Sequence, residues 1–329
     1  MDLLDRLRLE VPVFQAGMGG GIAGPELAGA VAAAGGLGTL GLTGPGNLRT
    51  GIGHVRERAP GRAVAVNLLM PFVRRRHVEA CLAEHVEAVV LFYGGDAGLV
   101  RTLHDAGVLV ISQVGTPAET REALGWGVDA LIAQGAEAGG HLLGRAPAAT
   151  VLEQVRAVAG TLPVLVAGGV ADGRDTARAL RAGAAGVVAG TRFLLTIESR
   201  AHPLYRDRVL AARETLETTL FGLAWPARHR VVPNAATRRW LRPDGSVRSL
   251  PRALNTASAP LGRIATDAMA EALPHLQRAR VPLLSPAPPR SGLPDAAVES
   301  TPLYAGESAR RIDTVVTAAE AVRLLTPTA

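Results

Sequence analysis

One histidine of this chain stands in a setting that suits catalysis. The segment AQGAEAGGHLLG (133–144) places His141 after two glycines and behind an apolar run that ends at Gln134. A histidine in a cleft can remove a proton near neutral pH, so we predict that His141 is a catalytic base. The alternative is a loop histidine that bonds to backbone. The nearest acidic residue, Glu137, is four positions away, so the pattern predicts no metal site.

Amide side chains recur where several apolar runs end. Asn67, Gln113 and Gln134 each lie at or near the end of such a run. Amides both donate and accept hydrogen bonds, which suits the edge of a flat heterocycle. Each amide could instead satisfy the backbone of the loop that follows.

Two glycine turns predict an anion site. They are AGGVADG (167–173) and AGTRF (189–193), which close the last two apolar runs before residue 200. Glycine lets backbone N–H groups approach an anion, and the N-terminus of the following helix adds its dipole. Tight turns that require glycine are the alternative. We favour a phosphate, because barrels of alternating strands and helices frequently hold one at this point.

A further glycine pattern is rejected. Gly19, Gly21 and Gly24 match GxGxxG, which in dinucleotide-binding folds is followed about 20 residues later by an acidic residue. Between Glu26 and Glu57 the chain has no Asp or Glu. The pattern therefore does not predict a dinucleotide site.

Short apolar runs and amphipathic stretches alternate over the first 191 residues. Each run is too short for a helix, and most are rich in Val, Ile or Leu and end near Gly, Asn or Gln. Continuously apolar strands that alternate with helices imply a parallel sheet covered by helices. Eight units predict an α/β protein of the (β/α)8 TIM-barrel class. The runs are 11–17, 36–42, 63–69, 88–94, 108–115, 129–135, 163–169 and 185–191.

Two of the intervening helices carry clear start and stop signals. Thr116, followed by proline, is expected to cap one helix, and Gly125 or Gly127 to end it. Asp172 is expected to cap another helix, which runs to Gly183.

The alternation stops after about residue 200. Residues 201–221 look helical, and the region beyond mixes prolines and arginine pairs with one helical stretch. We predict a barrel over 1–212 and an irregular, partly helical insertion over 213–303 that forms a lid near the barrel mouth. The last part, 304–329, is expected to return to the barrel as its final helix.

Composition excludes several kinds of chemistry. All 35 basic residues are arginine, which excludes a Schiff-base lysine, pyridoxal phosphate on lysine and a GxxxxGK[ST] phosphate loop. Cys81 is the single cysteine, so there is no internal disulfide, multi-cysteine zinc site or iron–sulfur cluster.

Charge and hydropathy bear on partners. The formal charge is +6, but aromatic residues are scarce and do not interleave with Arg74-Arg75-Arg76, so we predict no nucleic-acid partner. No apolar run approaches the length that spans a bilayer, and the first residues lack a signal-peptide core. We therefore expect a cytoplasmic protein without membrane association.

At these residues the chain resembles the nitronate monooxygenase family, whose members are FMN-dependent (β/α)8 barrels. The resemblance rests on 11–41, VNLLM (66–70), AQGAEAGGH (133–141), AGGVADGRD (167–175) and VVAGTRFL (187–194). It covers about the first 200 residues well. AQGAEAGGH together with AGTRF is specific to this superfamily.

The resemblance implies an FMN site and a reaction. His141 corresponds to the family's proposed base, which takes the α-proton from a neutral nitroalkane. The nitronate is then oxidised through FMN, and O2 reacts to give a carbonyl compound and nitrite. By similarity, the isoalloxazine contacts are Met18, Asn67, Gln113 and Gln134 with Gly17 beside them, Gly139 and Gly140 lie along the flavin, and Gly168, Gly169, Gly190 and Thr191 hold the phosphate.

The chain departs from the family pattern at three places. Gly17 stands where many members have proline before methionine. Gln113 replaces a lysine that some members carry near the flavin. The turn Tyr93-Gly94-Gly95-Asp96 replaces a phenylalanine-glycine turn. The resemblance therefore does not predict the walls of the substrate pocket.

Two other functions stay open at this point. An enoyl-thioester reductase would share the barrel and the GGH motif but take hydride from NAD(P)H. A non-enzymatic flavin-binding barrel is the other alternative. The sequence does not indicate an oligomeric state.

Overall fold

The computed structural model describes residues 2–263 and 267–327. Eight parallel strands form one sheet in the order β1-β9-β8-β6-β5-β4-β3-β2. A bridge between Phe14 and Leu37 joins the first and last of them, so the sheet closes. The predicted (β/α)8 barrel is confirmed. The strands are Val13–Gln15 (β1), Gly38–Leu40 (β2), Val64–Leu69 (β3), Ala88–Phe92 (β4), Leu109–Val114 (β5), Ala130–Gln134 (β6), Gly140–His141 (β7), Val164–Ala167 (β8), Gly186–Ala189 (β9), Leu216–Thr218 (β10), His229–Val232 (β11) and Leu303–Tyr304 (β12).

Helices cover the outside of the barrel. In the described residues none of them is long and apolar enough to cross a membrane. The α-helices are Leu3–Arg6 (α1), Pro25–Ala33 (α2), Pro45–Arg58 (α3), Arg75–Ala83 (α4), Ala97–Asp105 (α5), Pro117–Trp126 (α6), Ala148–Ala159 (α7), Gly173–Arg181 (α8), Thr191–Leu194 (α9), Pro203–Leu210 (α10), Ala235–Trp240 (α11), Ser249–Ser258 (α12), Asp267–Leu276 (α13) and Ala318–Leu325 (α14). Short 3-10 helices are Met70–Phe72, Ala259–Arg263, Asp295–Glu299 and Glu307–Arg311.

The predicted helix caps are present. The Thr116 hydroxyl accepts a hydrogen bond from the Glu119 N–H at 3.2 Å, and Gly127 ends α6 in the left-handed conformation with φ 86°. The Asp172 carboxylate accepts from two N–H groups of the first turn of α8. Side-chain acceptors satisfy N–H groups that a helix leaves unpaired at its start.

Strand alternation separates the two cores and aims the amide side chains. Inward-facing residues such as Ala65, Ile111 and Ile132 fill the barrel, and their neighbours pack against the helices. Because side chains alternate along a strand, positions 67, 113 and 134 share the inward side. They stand at the mouth, since they lie at or near the carboxyl ends of β3, β5 and β6.

The insertion after β9 builds a second, antiparallel sheet that the sequence did not indicate. Strand β11 pairs with β10, β12 and β7, and His229 lies opposite His141 in the β7–β11 register. The expected helix over 201–221 is wrong in its second half, because α10 ends at Leu210 and Leu216–Thr218 is a strand. Pairing with a distant strand overrides the local helical pattern.

The C-terminal helix returns to the barrel. Helix α14 contacts α2 and α8, and it buries Ala318, Val322 and Leu325. The Thr317 hydroxyl accepts from the Glu320 N–H at 3.1 Å and caps it. Helix α14 therefore fills the gap between the helices that flank β1 and β9.

Candidate functional site

One cavity of about 460 Å³ lies at the carboxyl ends of the barrel strands. In barrels of this class the site is built at this end from the strand–helix loops. Every residue that the sequence assigned to catalysis or cofactor binding lines this cavity. They are Gly17, Met18, Asn67, Gln113, Gln134, Gly139, Gly140, His141, Gly168, Gly169, Gly190 and Thr191.

Two of the three inward amides are available to a ligand. Asn67 and Gln113 line the cavity, and their side chains make no hydrogen bond to another described residue. Around them the cavity wall is apolar, with Val90, Ile111 and Ile132 among its residues. An apolar wall with a few unpaired amides suits a flat heterocycle that carries polar edge atoms.

Gln134 has a different role from the other two amides. Its Nε2–H donates to the His141 carbonyl at 2.9 Å, and its Oε1 accepts from the Leu143 N–H at 2.8 Å. The buried amide thus holds the loop that carries His141. One amide hydrogen and one oxygen lone pair remain for a ligand.

The glycine side of the cavity consists of Gly168, Gly169, Gly190 and Thr191. Gly168 and Gly169 both have positive φ, 119° and 73°, a region that side chains other than glycine's rarely tolerate. The backbone N–H groups of these four residues donate no hydrogen bond to another described residue. Unpaired N–H groups that converge on one wall form a site for an anion.

The helix after β8 begins with a side-chain cap. N–H groups in the first turn of α8 are already bound by the Asp172 carboxylate, so they cannot also bind a phosphate. The N–H groups of Gly168 and Gly169, in the turn before the helix, have no hydrogen-bond partner in the described residues. There the Arg311 guanidinium donates to the Gly169 carbonyl at 2.5 Å and pairs with Asp175 at 2.6 Å.

Close backbone approaches explain two glycines at the mouth. A Cβ at Gly17 would lie 2.3 Å from the Asn67 Cβ, and one at Gly139 would lie 2.5 Å from the Ala305 carbonyl carbon. Real Cβ atoms do not come this close to other atoms. The glycine that replaces the family's proline thus lets the first loop lie against Asn67.

The histidine side comprises His141, Trp225 and Tyr304, which line the cavity, and Tyr93 and His229, whose rings contact them. Trp225 covers the His141 ring at a centroid distance of 4.0 Å and an interplanar angle of 33°. His229 and Tyr304 each lie 5.3 Å from that ring and Tyr93 lies 6.5 Å away. Sequence reasoning missed the three residues that follow position 200, because strand pairing over long range brings them here.

His141 is held neutral. Its Nε2 is buried and has no hydrogen-bond partner in the described residues. Its Nδ1 keeps accessible surface, since it too has no partner among them yet is not a buried atom. Burial, with His229 as a second cause, lowers the pKa of His141 well below its usual value. Burial thus keeps the ring unprotonated but weakens it as a base, and the accessible nitrogen is the atom at which a proton can be taken up.

Tyr93 supports the same loop from a strained backbone. It has φ 64°, and strain of this kind in a residue other than glycine clusters at functional sites. Its hydroxyl donates to the Leu142 carbonyl at 3.0 Å. Burial raises the pKa of Tyr93 to about 12, so the hydroxyl keeps its proton at ordinary pH.

An ion-pair cluster on β11 fixes the insertion to the His141 loop. Arg230 donates to the Ala136 carbonyl at 2.9 Å and to Glu217 at 2.8 Å. Arg228 pairs with Glu217 at 2.5 Å and donates to the Gly144 carbonyl. The alternation Arg-His-Arg (228–230) is the sequence signal that could have indicated strand β11, because it is typical of a strand with two different faces.

The residues present fit FMN. The cavity offers an apolar wall with unpaired amides at Asn67 and Gln113, and a separate wall of unpaired backbone N–H groups. The first suits the isoalloxazine and the second suits a phosphate.

A model of the nitronate monooxygenase family matches residues 2–74 and 53–328. The chain is 38% identical over 219 residues to "(3aS,4S,5R,7aS)-5-hydroxy-7a-methyl-1-oxo-octahydro-1H-indene-4-carboxyl-CoA dehydrogenase" of Mycobacterium tuberculosis. That match covers 64% of this chain and 60% of the relative. The chain is also 32% identical over 268 residues to a nitronate monooxygenase of Pseudomonas aeruginosa, with 66% of this chain and 76% of the relative covered.

Solved structures share the fold. FabK from Thermotoga maritima superposes with a TM-score of 0.77 at 27% identity, over 98% of this chain and 94% of that one. A nitroalkane oxidase from Streptomyces ansochromogenes superposes with a TM-score of 0.75 at 26% identity, over 98% and 96% of the two chains. The likeness therefore extends through the insertion as well as the barrel.

Proposed function

The chain belongs to the nitronate monooxygenase family, and we propose that it oxidises alkyl nitronates and nitroalkanes with O2 to a carbonyl compound and nitrite. The observation that carries the proposal is His141, a neutral histidine with one accessible nitrogen in a cavity that fits FMN. A carbon acid needs such a base, because its α-proton must leave before oxidation.

The walls of the cavity divide the work of binding FMN. Met18, Asn67, Gln113 and Gln134 would contact the isoalloxazine, with Gly17 beside them and Gly139 and Gly140 along it. Gly168, Gly169, Gly190 and Thr191 would hold the phosphate. When bound, FMN supplies the electron-transfer chemistry, while the protein supplies placement and electrostatics.

His141 would act on the neutral nitroalkane. Its accessible Nδ1 takes the α-proton, and the electron pair of the broken C–H bond moves into the nitro group to give the nitronate. Trp225 and Tyr93 flank the ring, which keeps water from competing for the base. A nitronate supplied as the anion needs no proton removal. His141 is therefore more important for the neutral nitroalkane than for the nitronate.

We also propose that residues 213–303 act as the lid of this site. Strand β11 pairs with the His141 strand, and Trp225 reaches the cavity from the same segment. With this lid, the chain divides into a barrel over 1–212, the lid over 213–303 and a returning segment over 304–329.

An absorption spectrum tests the proposed function. The purified protein, supplied with FMN, is expected to show oxidised-flavin bands that bleach on anaerobic addition of propyl nitronate and return with air. Nitrite and a carbonyl compound should appear together. A colourless protein that does not take up FMN would contradict the cofactor site, and bands that nitronate leaves unchanged would contradict the reaction.

A second candidate is an oxidoreductase that acts on a coenzyme A thioester. Two relatives, 38% and 35% identical, are named carboxyl-CoA dehydrogenases. Arg74 and Arg290 line the cavity, and arginine suits the phosphates of such a carrier. Rapid anaerobic bleaching by NAD(P)H without any nitro compound would favour the NAD(P)H-dependent enoyl-thioester reductase form of this candidate.

A further inference from the structure

Two buried nitrogen atoms on the histidine side lack a hydrogen-bond partner in the described residues, and they belong to rings whose centroids are 5.3 Å apart. The Nε2 atoms of His141 and His229 are both buried, and neither has a hydrogen-bond partner in the described residues. A buried polar atom without a partner destabilises a fold, because it has lost its hydrogen bonds to water. Two such atoms on facing residues of paired strands need a common explanation.

The proton on His229 can be assigned from its partner. Its Nδ1 lies 2.9 Å from the Ala227 carbonyl, which can only accept, so Nδ1 carries the hydrogen. Burial lowers the pKa of His229 to about 4, and the ring is therefore neutral at ordinary pH. Its Nε2 is then a bare lone pair that lacks a donor.

His141 presents the complementary need. Its Nε2 is buried, whereas its Nδ1 keeps accessible surface in the cavity. A base that acts on a substrate in the cavity requires the lone pair on Nδ1, which puts the ring hydrogen on Nε2. That hydrogen then requires an acceptor inside the protein.

The geometry allows the two to meet. His141 and His229 are opposite each other in the antiparallel register of β7 and β11, and their ring centroids are 5.3 Å apart. The two nitrogens are not hydrogen-bonded as the side chains stand. With the His229 ring held by Ala227, the two nitrogens come within roughly 3 Å, a hydrogen-bond distance, when both Nε2 atoms point along the line between the ring centres.

In the described part of the chain, two tyrosines have rings in contact with the histidine pair. They are Tyr93, directly after β4, and Tyr304 of β12, and burial raises the pKa of both. Their hydroxyls already donate to the carbonyls of Leu142 and Pro286. Arg228 also acts on Tyr93 through its charge.

We propose that His229 is a positioning residue whose Nε2 accepts a hydrogen bond from the Nε2–H of His141. The bond selects the tautomer of His141 that leaves Nδ1 free in the cavity as the base. The arrangement of the two rings does not depend on the substrate. Its catalytic consequence rests on the proposed function, because a base is needed only if a carbon acid is the substrate.

Two variants separate the two nitrogens of His229. The amide of Asn reproduces the position of Nδ1, so His229→Asn keeps the donor to Ala227 and removes the acceptor that faces His141. The longer Gln reaches the position of Nε2, so His229→Gln offers His141 an acceptor again. His104→Asn, at an exposed histidine, is the matched control.

Nitrogen NMR of the FMN-loaded protein with ¹⁵N-labelled histidine is the deciding measurement. We expect His141 to carry its hydrogen on Nε2, with a ¹⁵N–¹⁵N coupling across the hydrogen bond to His229. The coupling should vanish in His229→Asn, and the hydrogen should move toward Nδ1. In His229→Gln and His104→Asn, His141 should keep its hydrogen on Nε2. If the spectrum of the wild type shows the hydrogen of His141 on Nδ1, the proposal is wrong, whatever the variants show.

Turnover adds a second readout. His229→Asn should lower the rate with a neutral nitroalkane by about tenfold, the cost of one lost hydrogen bond to a charged group, and leave the rate with preformed nitronate unchanged. His229→Gln should retain most of the rate that His229→Asn loses. If His229→Asn lowers the rates with both substrates equally, the positioning role is wrong. If the wild type oxidises neither substrate, the proposed function fails, and the NMR result still decides the role of His229.

Discussion

The glycine side and the histidine side of the cavity are built in opposite ways. The glycine side uses backbone groups of two turns that follow directly on strands β8 and β9. The histidine side combines a loop after β6 with Trp225, His229 and Tyr304, which lie more than 80 residues further along the chain. The first side presents N–H groups, and the second presents aromatic rings around one base.

Under the proposed function, this difference separates cofactor binding from substrate choice. Backbone turns at strand ends are fixed by the barrel itself, so the cofactor wall persists when the insertion changes. The rings around His141 depend on how β11 docks. We therefore expect substitutions in the insertion to alter the substrate and the base without altering FMN affinity.

The largest expected effect concerns the base. His141→Ala should lower the rate with a neutral nitroalkane by about 10²–10⁴-fold, the usual contribution of a general base. The rate with preformed nitronate should fall far less, and FMN should stay bound. Steady-state rates with both forms of one substrate, together with the flavin spectrum, check this. Loss of FMN from the variant would mean that the two sides are not independent.

The next effect is a pH dependence of stability. Burial lowers the folded-state pKa of His229 from 6.5 to about 4, so below pH 6.5 the unfolded chain binds a proton that the folded chain does not. The free energy of unfolding keeps its full value above pH 6.5. It decreases as the pH falls below 6.5, by on the order of 3 kcal/mol at pH 4. The lowered pKa of His141 acts in the same direction.

Urea unfolding at a series of pH values measures this loss. In His229→Asn the free energy of unfolding should change less between pH 7 and 4, since one of the two histidines is gone. An unchanged slope would mean that His229 does not stay neutral in the folded protein.

The glycine side gives a smaller effect. Gly169→Ala puts a side chain on a residue with φ 73°, which costs about 1–2 kcal/mol of strain and shifts the turn. FMN affinity should fall about tenfold. Gly127→Ala, with φ 86° far from the cavity, should cost similar stability and leave FMN affinity unchanged. Flavin fluorescence titration of both variants distinguishes the two cases.

The smallest effect concerns Tyr93. Tyr93→Phe removes the hydrogen bond to the Leu142 carbonyl and should cost about 1 kcal/mol of stability. The rate with a neutral nitroalkane should fall a few-fold, because the His141 loop loses one support, while FMN affinity stays the same. Thermal unfolding and the same paired rate assay measure both, and a weakened FMN affinity would contradict the division of the cavity.

Much of the barrel could be predicted because its signals are local. Each of the eight predicted apolar runs contains one barrel strand, and the caps at Thr116 and Asp172 begin the predicted helices. At the level of the family, the expected oxidoreductase class and FMN cofactor are confirmed. The expected helix over 201–221 was wrong where β10 pairs with β11, since no local pattern encodes that partner.

Local sequence patterns specify the strands, the glycine turns and the position of His141 behind a strand. These follow from alternation, chain stiffness and backbone freedom over a few residues, so they are readable without a fold. Only the tertiary structure decided that His229 lies against His141 and that Trp225 covers its ring. Those contacts join residues about 90 positions apart, and their register depends on how the insertion packs, which no short segment specifies.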